Sequence, residues 1–220
     1  MIKNLYNSRF KIFFLCQLML LIVPLLVFSY NIILSPWLLL CNLIAGILIV
    51  KEKKNQMWFL ISLLGILIIS FVLSNLDFGI SKNLNILKIS IYLIFFLIVY
   101  IETTKQVWKA SLINNNIVYG LISGYVSLGL IGFFINLFIE TIQPNSFNGL
   151  LNQINASENL LYYSYVTLLT IGFGEITPST SLTQKTALII GLCGEIYQAL
   201  ITAIIVGKYI NQTKLKKIKN

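Results

Sequence analysis

The chain contains no histidine, and only 7 acidic residues, 4 prolines and 3 cysteines among its 220 residues. Each shortage closes off a class of function. Cys16, Cys41 and Cys193 are odd in number, lack CxxC spacing and lie inside apolar runs. With no imidazole to join them they read as small buried hydrophobes rather than metal ligands or disulfide halves. Charged residues make up 10% of the chain against 57% hydrophobic, and the mean hydropathy is +0.86. That balance excludes a soluble core and describes a membrane protein. The first apolar run has no A-x-A-like exit and is longer than a signal-peptide core, so it is expected to be a retained span.

A net charge of +9 invites a nucleic-acid reading, which the placement of the charge argues against. Thirteen of the sixteen basic residues fall into four clusters: Lys3, Arg9 and Lys11; Lys51, Lys53 and Lys54; Lys105 and Lys109; and Lys208 with Lys214, Lys216, Lys217 and Lys219. These alternate with apolar stretches as the positive-inside rule requires. The basic balance therefore reports orientation in a lipid bilayer and contact with anionic headgroups.

Six apolar spans are predicted, at residues 10–30, 36–50, 57–73, 84–101, 117–138 and 182–207, with both termini cytoplasmic. Pro24 is expected to kink the first. An uncharged turn over 31–35 is expected to lead to Pro36 at the start of the second helix. Residues 102–116 read as a polar cytoplasmic connector, in which Val107, Trp108 and Leu112 suggest a short interfacial helix. The fifth span carries Gly120, Gly124, Gly129 and Gly132, small residues that allow close packing, expected to be against the sixth. Pro144-Asn145-Ser146 supplies turn chemistry after it.

The chain is organised around residues 162–178, Tyr-Tyr-Ser-Tyr-Val-Thr-Leu-Leu-Thr-Ile-Gly-Phe-Gly-Glu-Ile-Thr-Pro. A dehydrated cation needs a cage of oxygens, which backbone carbonyls supply without a fixed charge. Successive carbonyls point the same way when residues alternate between ordinary and left-handed backbone. Glycine takes the second kind at no steric cost, which accounts for Gly172 and Gly174. Upstream, Asn155 and Glu158 have capping-box spacing, with Ser157 as a competing cap. A helix of about 12 residues would follow, roughly 18 Å long and too short to span a bilayer. Its partly negative C-terminal end would face a waiting cation.

Thr170-Ile171-Gly172-Phe173-Gly174-Glu175 resembles the potassium channel filter signature T-[V/I]-G-[Y/F]-G-[D/E], set between a pore helix and an inner pore-lining helix. The resemblance implies an all-α membrane protein of six transmembrane helices. A re-entrant pore helix and selectivity filter would lie between helices five and six. Residues 1–116 would be a four-helix membrane domain with its connector, and 117–220 the pore domain. The motif occurs once, so one chain supplies a quarter of a ring and a homotetramer follows. Thr170, Ile171, Gly172, Phe173 and Gly174 would bind K+, the cargo, with Thr170 able to add its hydroxyl as the innermost ligand. No organic cofactor and no enzymatic activity are expected.

Further roles come with the same resemblance. Thr167 would support the filter from the end of the pore helix. Glu175 would form an outer acidic ring or brace the filter against Tyr163, and Phe173 replaces the commoner tyrosine. Tyr162 and Tyr163 stand where relatives often carry a tryptophan pair. Gly194 falls where the inner helix can bend. Glu195, Gln198, Thr202 and Val206 share one helical face by spacing, and the resemblance places that face on the central cavity. An ionised ring of Glu195 would concentrate K+ and attract cytoplasmic cation blockers such as magnesium or polyamines, giving inward rectification.

In six-span relatives residues 1–116 would be a voltage sensor, which needs several bases at every third position. Each charge crossing the field contributes about 2.3 kcal/mol per 100 mV. The fourth span offers Lys88 alone and the first three show no buried acids, so a sensor-like layout without a sensor is expected. Twelve residues follow Lys208, too few for a regulatory domain. The alternatives are a weakly selective cation channel, a secondary transporter, whose sites usually come in paired repeats, and a non-conducting regulatory subunit.

Overall fold

The computed structural model describes residues 6–26, 31–75, 81–110, 114–150 and 156–219. Seven helices account for nearly all of them: α1 (Arg9–Leu26), α2 (Asn31–Val50), α3 (Lys54–Asn75), α4 (Ser81–Lys109), α5 (Asn115–Ile142), α6 (Ala156–Leu168) and α7 (Ser181–Lys219). The two-residue strands β1 (Phe147–Asn148) and β2 (Thr177–Pro178) pair antiparallel, Phe147 opposite Pro178 and Asn148 opposite Thr177.

Four helices are long and apolar enough to cross a membrane, over Lys54–Ser74, Lys82–Lys109, Asn115–Ile142 and Ser181–Ile205. Pro36–Val50 is a shorter apolar segment. The chain is thus a multi-pass membrane protein.

Several boundaries differ from those the sequence suggests. Residues 31–35 are helical rather than a turn, and Pro36 lies inside α2. Placed early in the helix, the ring forfeits one backbone hydrogen bond, while the apolar Ile32-Ile33-Leu34 offer no turn chemistry. α1 continues through Pro24 to Leu26. The supposed connector from Glu102 is the last part of α4, because no glycine or proline interrupts residues 81–109. Val107 accordingly packs inside, Trp108 lies exposed on α4, and Leu112 falls outside the described residues.

The residues form two compact units that interleave along the chain. The first takes the described residues up to Ile61, then Ile98–Val126, then those from Ala199. Within it α1 packs on α2, where buried Asn42 donates to the carbonyls of Cys16 at 2.9 Å and Leu38 at 3.1 Å. Phe14 stacks on Tyr119 with ring centres 5.7 Å apart. A Cβ on Gly120 would come within 2.8 Å of Val107 and 3.1 Å of Phe10, so this glycine serves contacts to α4 and α1.

Polar groups fasten one end of these helices. Arg9 Nε donates to Gln106 Oε1 at 2.9 Å, and Gln106 Nε2 donates to the Ile49 carbonyl at 2.8 Å and Glu102 Oε1 at 2.9 Å. Lys53 pairs with the other oxygen of Glu102. A buried carboxylate is tolerated when paired and hydrogen-bonded in this way. Lys208 Nζ donates to the carbonyls of Val107, Trp108 and Ala110 at 3.0, 3.3 and 2.5 Å, closing the C-terminal end of α4 with a cation.

The second unit comprises Ser62–Leu97 and Ser127–Gln198. Phe134 of α5 stacks on Tyr92 and Phe96 of α4 at 5.2 and 5.6 Å between centroids. Lys88 Nζ donates to Ser74 Oγ at 2.9 Å and lies 5.9 Å from the Phe71 ring centre. This unit holds the stretch on which the sequence centres.

Candidate functional site

α6 is 13 residues long and ends at Leu168 in a tight cap. The Thr170 amide donates to the Thr167 carbonyl and the Ile171 amide to the Val166 carbonyl, each at 3.0 Å. Such a pair of bonds is the Schellman termination, which requires a left-handed residue after the helix. Here that residue is Thr170, with φ +56°, a conformation usually left to glycine. Its hydroxyl donates to the Leu169 carbonyl at 2.7 Å.

The left-handed conformation then recurs at every second residue, with φ +59° at Gly172 and +90° at Gly174. Among the described residues only Asn145 and Gly149 join these three at positive φ. A segment alternating in this manner carries neither helix nor strand hydrogen bonding, so its carbonyls are available to a ligand. Residues 170–175 are all exposed, Phe173 to 71%.

The segment is braced from both sides. Tyr163 of α6 is buried against Phe147 of β1, ring centres 5.2 Å apart, and hydrogen-bonds Thr167. Glu175 bonds Tyr162 rather than Tyr163. One residue on a helix is a turn of about 100°, so Tyr163 points inward to Phe147 while Tyr162 remains at the exposed side where Glu175 lies. Asn155 lies outside the described residues; Ser157 is within α6 and does not cap it.

Residues with no motif to announce them complete the brace. Asn136 of α5 and Ser164 of α6 are both fully buried, and the amide donates to Ser164 Oγ at 2.9 Å. The Glu140 carboxylate accepts the amides of Asn145 and Ser146 at 2.8 and 2.9 Å, holding the turn at Pro144-Asn145. That turn in turn receives the limb after the segment: the Ser179 amide donates to the Ser146 carbonyl and Ser179 Oγ to the Asn145 carbonyl, each at 2.9 Å. Thr180 and Thr183 cap α7 reciprocally, the Thr180 amide reaching Thr183 Oγ1 at 3.1 Å and the Thr183 amide reaching Thr180 Oγ1 at 3.3 Å. Of these, only Asn145 and Ser146 had a legible signal, the turn chemistry of Pro144-Asn145-Ser146.

Glycines set how closely the helices approach. A Cβ on Gly129 would lie 2.3 Å from the Tyr165 ring, and one on Gly132 would lie 3.0 Å from Ile190. Gly132, then, serves the contact with α7 expected of the glycine series, while Gly129 admits α6. Gly194 is buried, and a Cβ there would fall 2.3 Å from the Leu168 carbonyl. α7 runs unbroken through it. Glu195 and Gln198 are exposed in this unit, Thr202 is exposed in the other, and the Val206 side chain is outside what is described.

This architecture agrees with one comparison. Residues 122–211 match the family model described as ion channel. The match takes in most of α5, all of α6, the alternating segment and most of α7, under half of the chain. No curated protein and no solved structure matches the chain. The matched region therefore coincides with the helices that carry and brace the candidate site.

Proposed function

We propose that this chain is one subunit of a potassium-selective channel conducting K+ passively, with residues 170–174 as its filter. The observation that carries the reading is the alternation of left-handed backbone at Thr170, Gly172 and Gly174 directly after the end of α6. That is the conformation a stack of carbonyl rings demands, and fixed side-chain charge is absent from those five residues. α1 and α2 would complete six spans with the four long helices, both termini lying in the cytoplasm of a cell membrane. α6 would be the re-entrant pore helix.

One filter strand cannot surround an ion, so four copies assemble about a common axis. The exposed apolar surface of α7 at Leu188, Ile189, Leu192 and Ile196 supports burial against neighbouring copies, as does exposed Ile171. Glu195 would ring the cavity with Gln198, Thr202 would lie farther along it, and Gly194 would be the bending point. Voltage sensing is not part of the function: Lys88 is held by Ser74 and Phe71, and no series of bases accompanies it.

The test is recording from the purified chain in planar bilayers under bi-ionic K+ and Na+. Resolvable unitary currents with a reversal potential displaced strongly toward K+ are expected. A displacement near zero identifies a weakly selective cation channel, and transport without unitary currents identifies a transporter.

A further inference from the structure

The last three turns of α4 have two faces of opposite character. Val99, Glu102, Thr103 and Val107 are buried, and Glu102, the one acid of the helix, is held there by Lys53 and Gln106. The other face carries Tyr100, Ile101, Thr104, Lys105, Trp108 and Lys109 at the i, i+4, i+8 spacing of a helical stripe. These residues line a groove of about 330 Å³. Ile101 and Trp108 are exposed in it, Trp108 to 60%.

The charge of the groove is uncompensated. Among the described residues the ion pair is Lys53 with Glu102, so neither Lys105 nor Lys109 has a carboxylate partner. Lys208 is turned onto the helix-end carbonyls of Val107, Trp108 and Ala110. Thr104 also lines the groove, and its Oγ1 is buried with no hydrogen-bond partner among the described residues. Two lysines without a carboxylate partner thus share one helix face with an exposed indole and an open aliphatic wall at the end of a span-length helix.

We propose that this face of α4 seats one anionic phospholipid, its phosphate between Lys105 and Lys109 and an acyl chain along Ile101 and Trp108. A zwitterionic lipid presents the same phosphate but brings its own cation, which two lysines oppose; an anionic headgroup leaves both lysines neutralised. The indole suits the boundary between headgroup and chain, polar at one edge and apolar over its faces. The inference rests on the chain spanning a membrane and is independent of what the pore conducts.

Trp108 provides the readout. The full chain carrying Trp37→Phe and Trp58→Phe, both exposed positions, retains this single indole. It is reconstituted in vesicles of phosphatidylcholine with a minority of phosphatidylglycerol, bromine being placed on the acyl chains of one lipid or the other at constant composition. Quenching per brominated molecule is expected to be several-fold greater when the bromine is on phosphatidylglycerol. Lys105→Gln with Lys109→Gln should equalise the two arms, while Lys51→Gln with Lys54→Gln should leave the preference intact. Equal quenching in the parent protein overturns the proposal, as does a preference that survives loss of Lys105 and Lys109. Loss of preference in the Lys51 and Lys54 variant would also overturn it, since the effect would then be bulk surface charge.

Discussion

The Gly149 Cα abuts the carbonyl of Glu175: a Cβ at this glycine would stand 1.9 Å from that oxygen, with φ at +81°. The backbone before α6 and the backbone leaving the alternating segment therefore touch with no room for a side chain. Gly149→Ala meets two penalties, the left-handed strain of about 1–2 kcal/mol and a clash with backbone that cannot rotate away. Thermal unfolding in detergent should fall by several degrees, and the K+ preference of any remaining current should weaken. An unchanged melting temperature with unchanged reversal potential contradicts this arrangement.

Gly172→Ala presents a different balance. A Cβ there meets nothing within 4 Å in the single chain, so the penalty comes from φ +59° alone. About 1–2 kcal/mol per subunit, repeated around a ring, is enough to displace the filter conformation without unfolding the helices. Membrane insertion and helix content by circular dichroism should be retained while K+ current is abolished. Selective current in this variant would refute the assignment of residues 170–174.

Gly191 and Gly194 sit one turn apart on α7 and should respond oppositely to alanine. At Gly191 the new Cβ would be 3.8 Å from the Thr167 carbonyl, an ordinary contact, and the gain in helix propensity of about 1 kcal/mol is available. At Gly194 it would be 2.3 Å from the Leu168 carbonyl. Overpacking of that kind costs about 1–3 kcal/mol and pushes α7 from the end of α6. Gly191→Ala should melt no lower than wild type, and Gly194→Ala several degrees lower.

Asn136 and Ser164 should show an asymmetry. Asn136 Oδ1 is buried without a partner among the described residues, so the amide depends on its bond to Ser164. Ser164 has a second bond, its hydroxyl donating to the Leu160 carbonyl at 2.7 Å. Ser164→Ala leaves a buried amide unpaired and should cost about 1–3 kcal/mol. Asn136→Leu removes the amide at similar volume and should cost less. In a double-mutant cycle read by denaturation, the pair should couple by about 0.6–1 kcal/mol.

Glu195→Gln tests the cavity reading. Glu195 is exposed on α7, and it is the one acid in that helix. An intramembrane carboxylate repeated in four copies would gather cations. The substitution should lower unitary conductance and weaken block by internal magnesium or spermine while leaving the reversal potential unchanged. Identical block in both proteins would make Glu195 a structural residue.

The sequence by itself determined what depends on residues close together in the chain. Long apolar runs located the four span-length helices, since burial in lipid asks only for length and lack of charge. Gly172 and Gly174 announced the alternating backbone, because the steric preference belongs to each residue alone. Thr170 did not announce itself; its left-handed conformation follows from the cap that ends α6, a cooperative property of the turn. Tertiary structure alone decided the contacts between distant segments. Whether Glu175 meets Tyr162 or Tyr163, whether Gly194 faces the end of α6, and whether Glu102 lies inside with Lys53 all depend on helix rotation and approach. Those are fixed by the sum of many side-chain contacts across the chain, and no local pattern carries that sum.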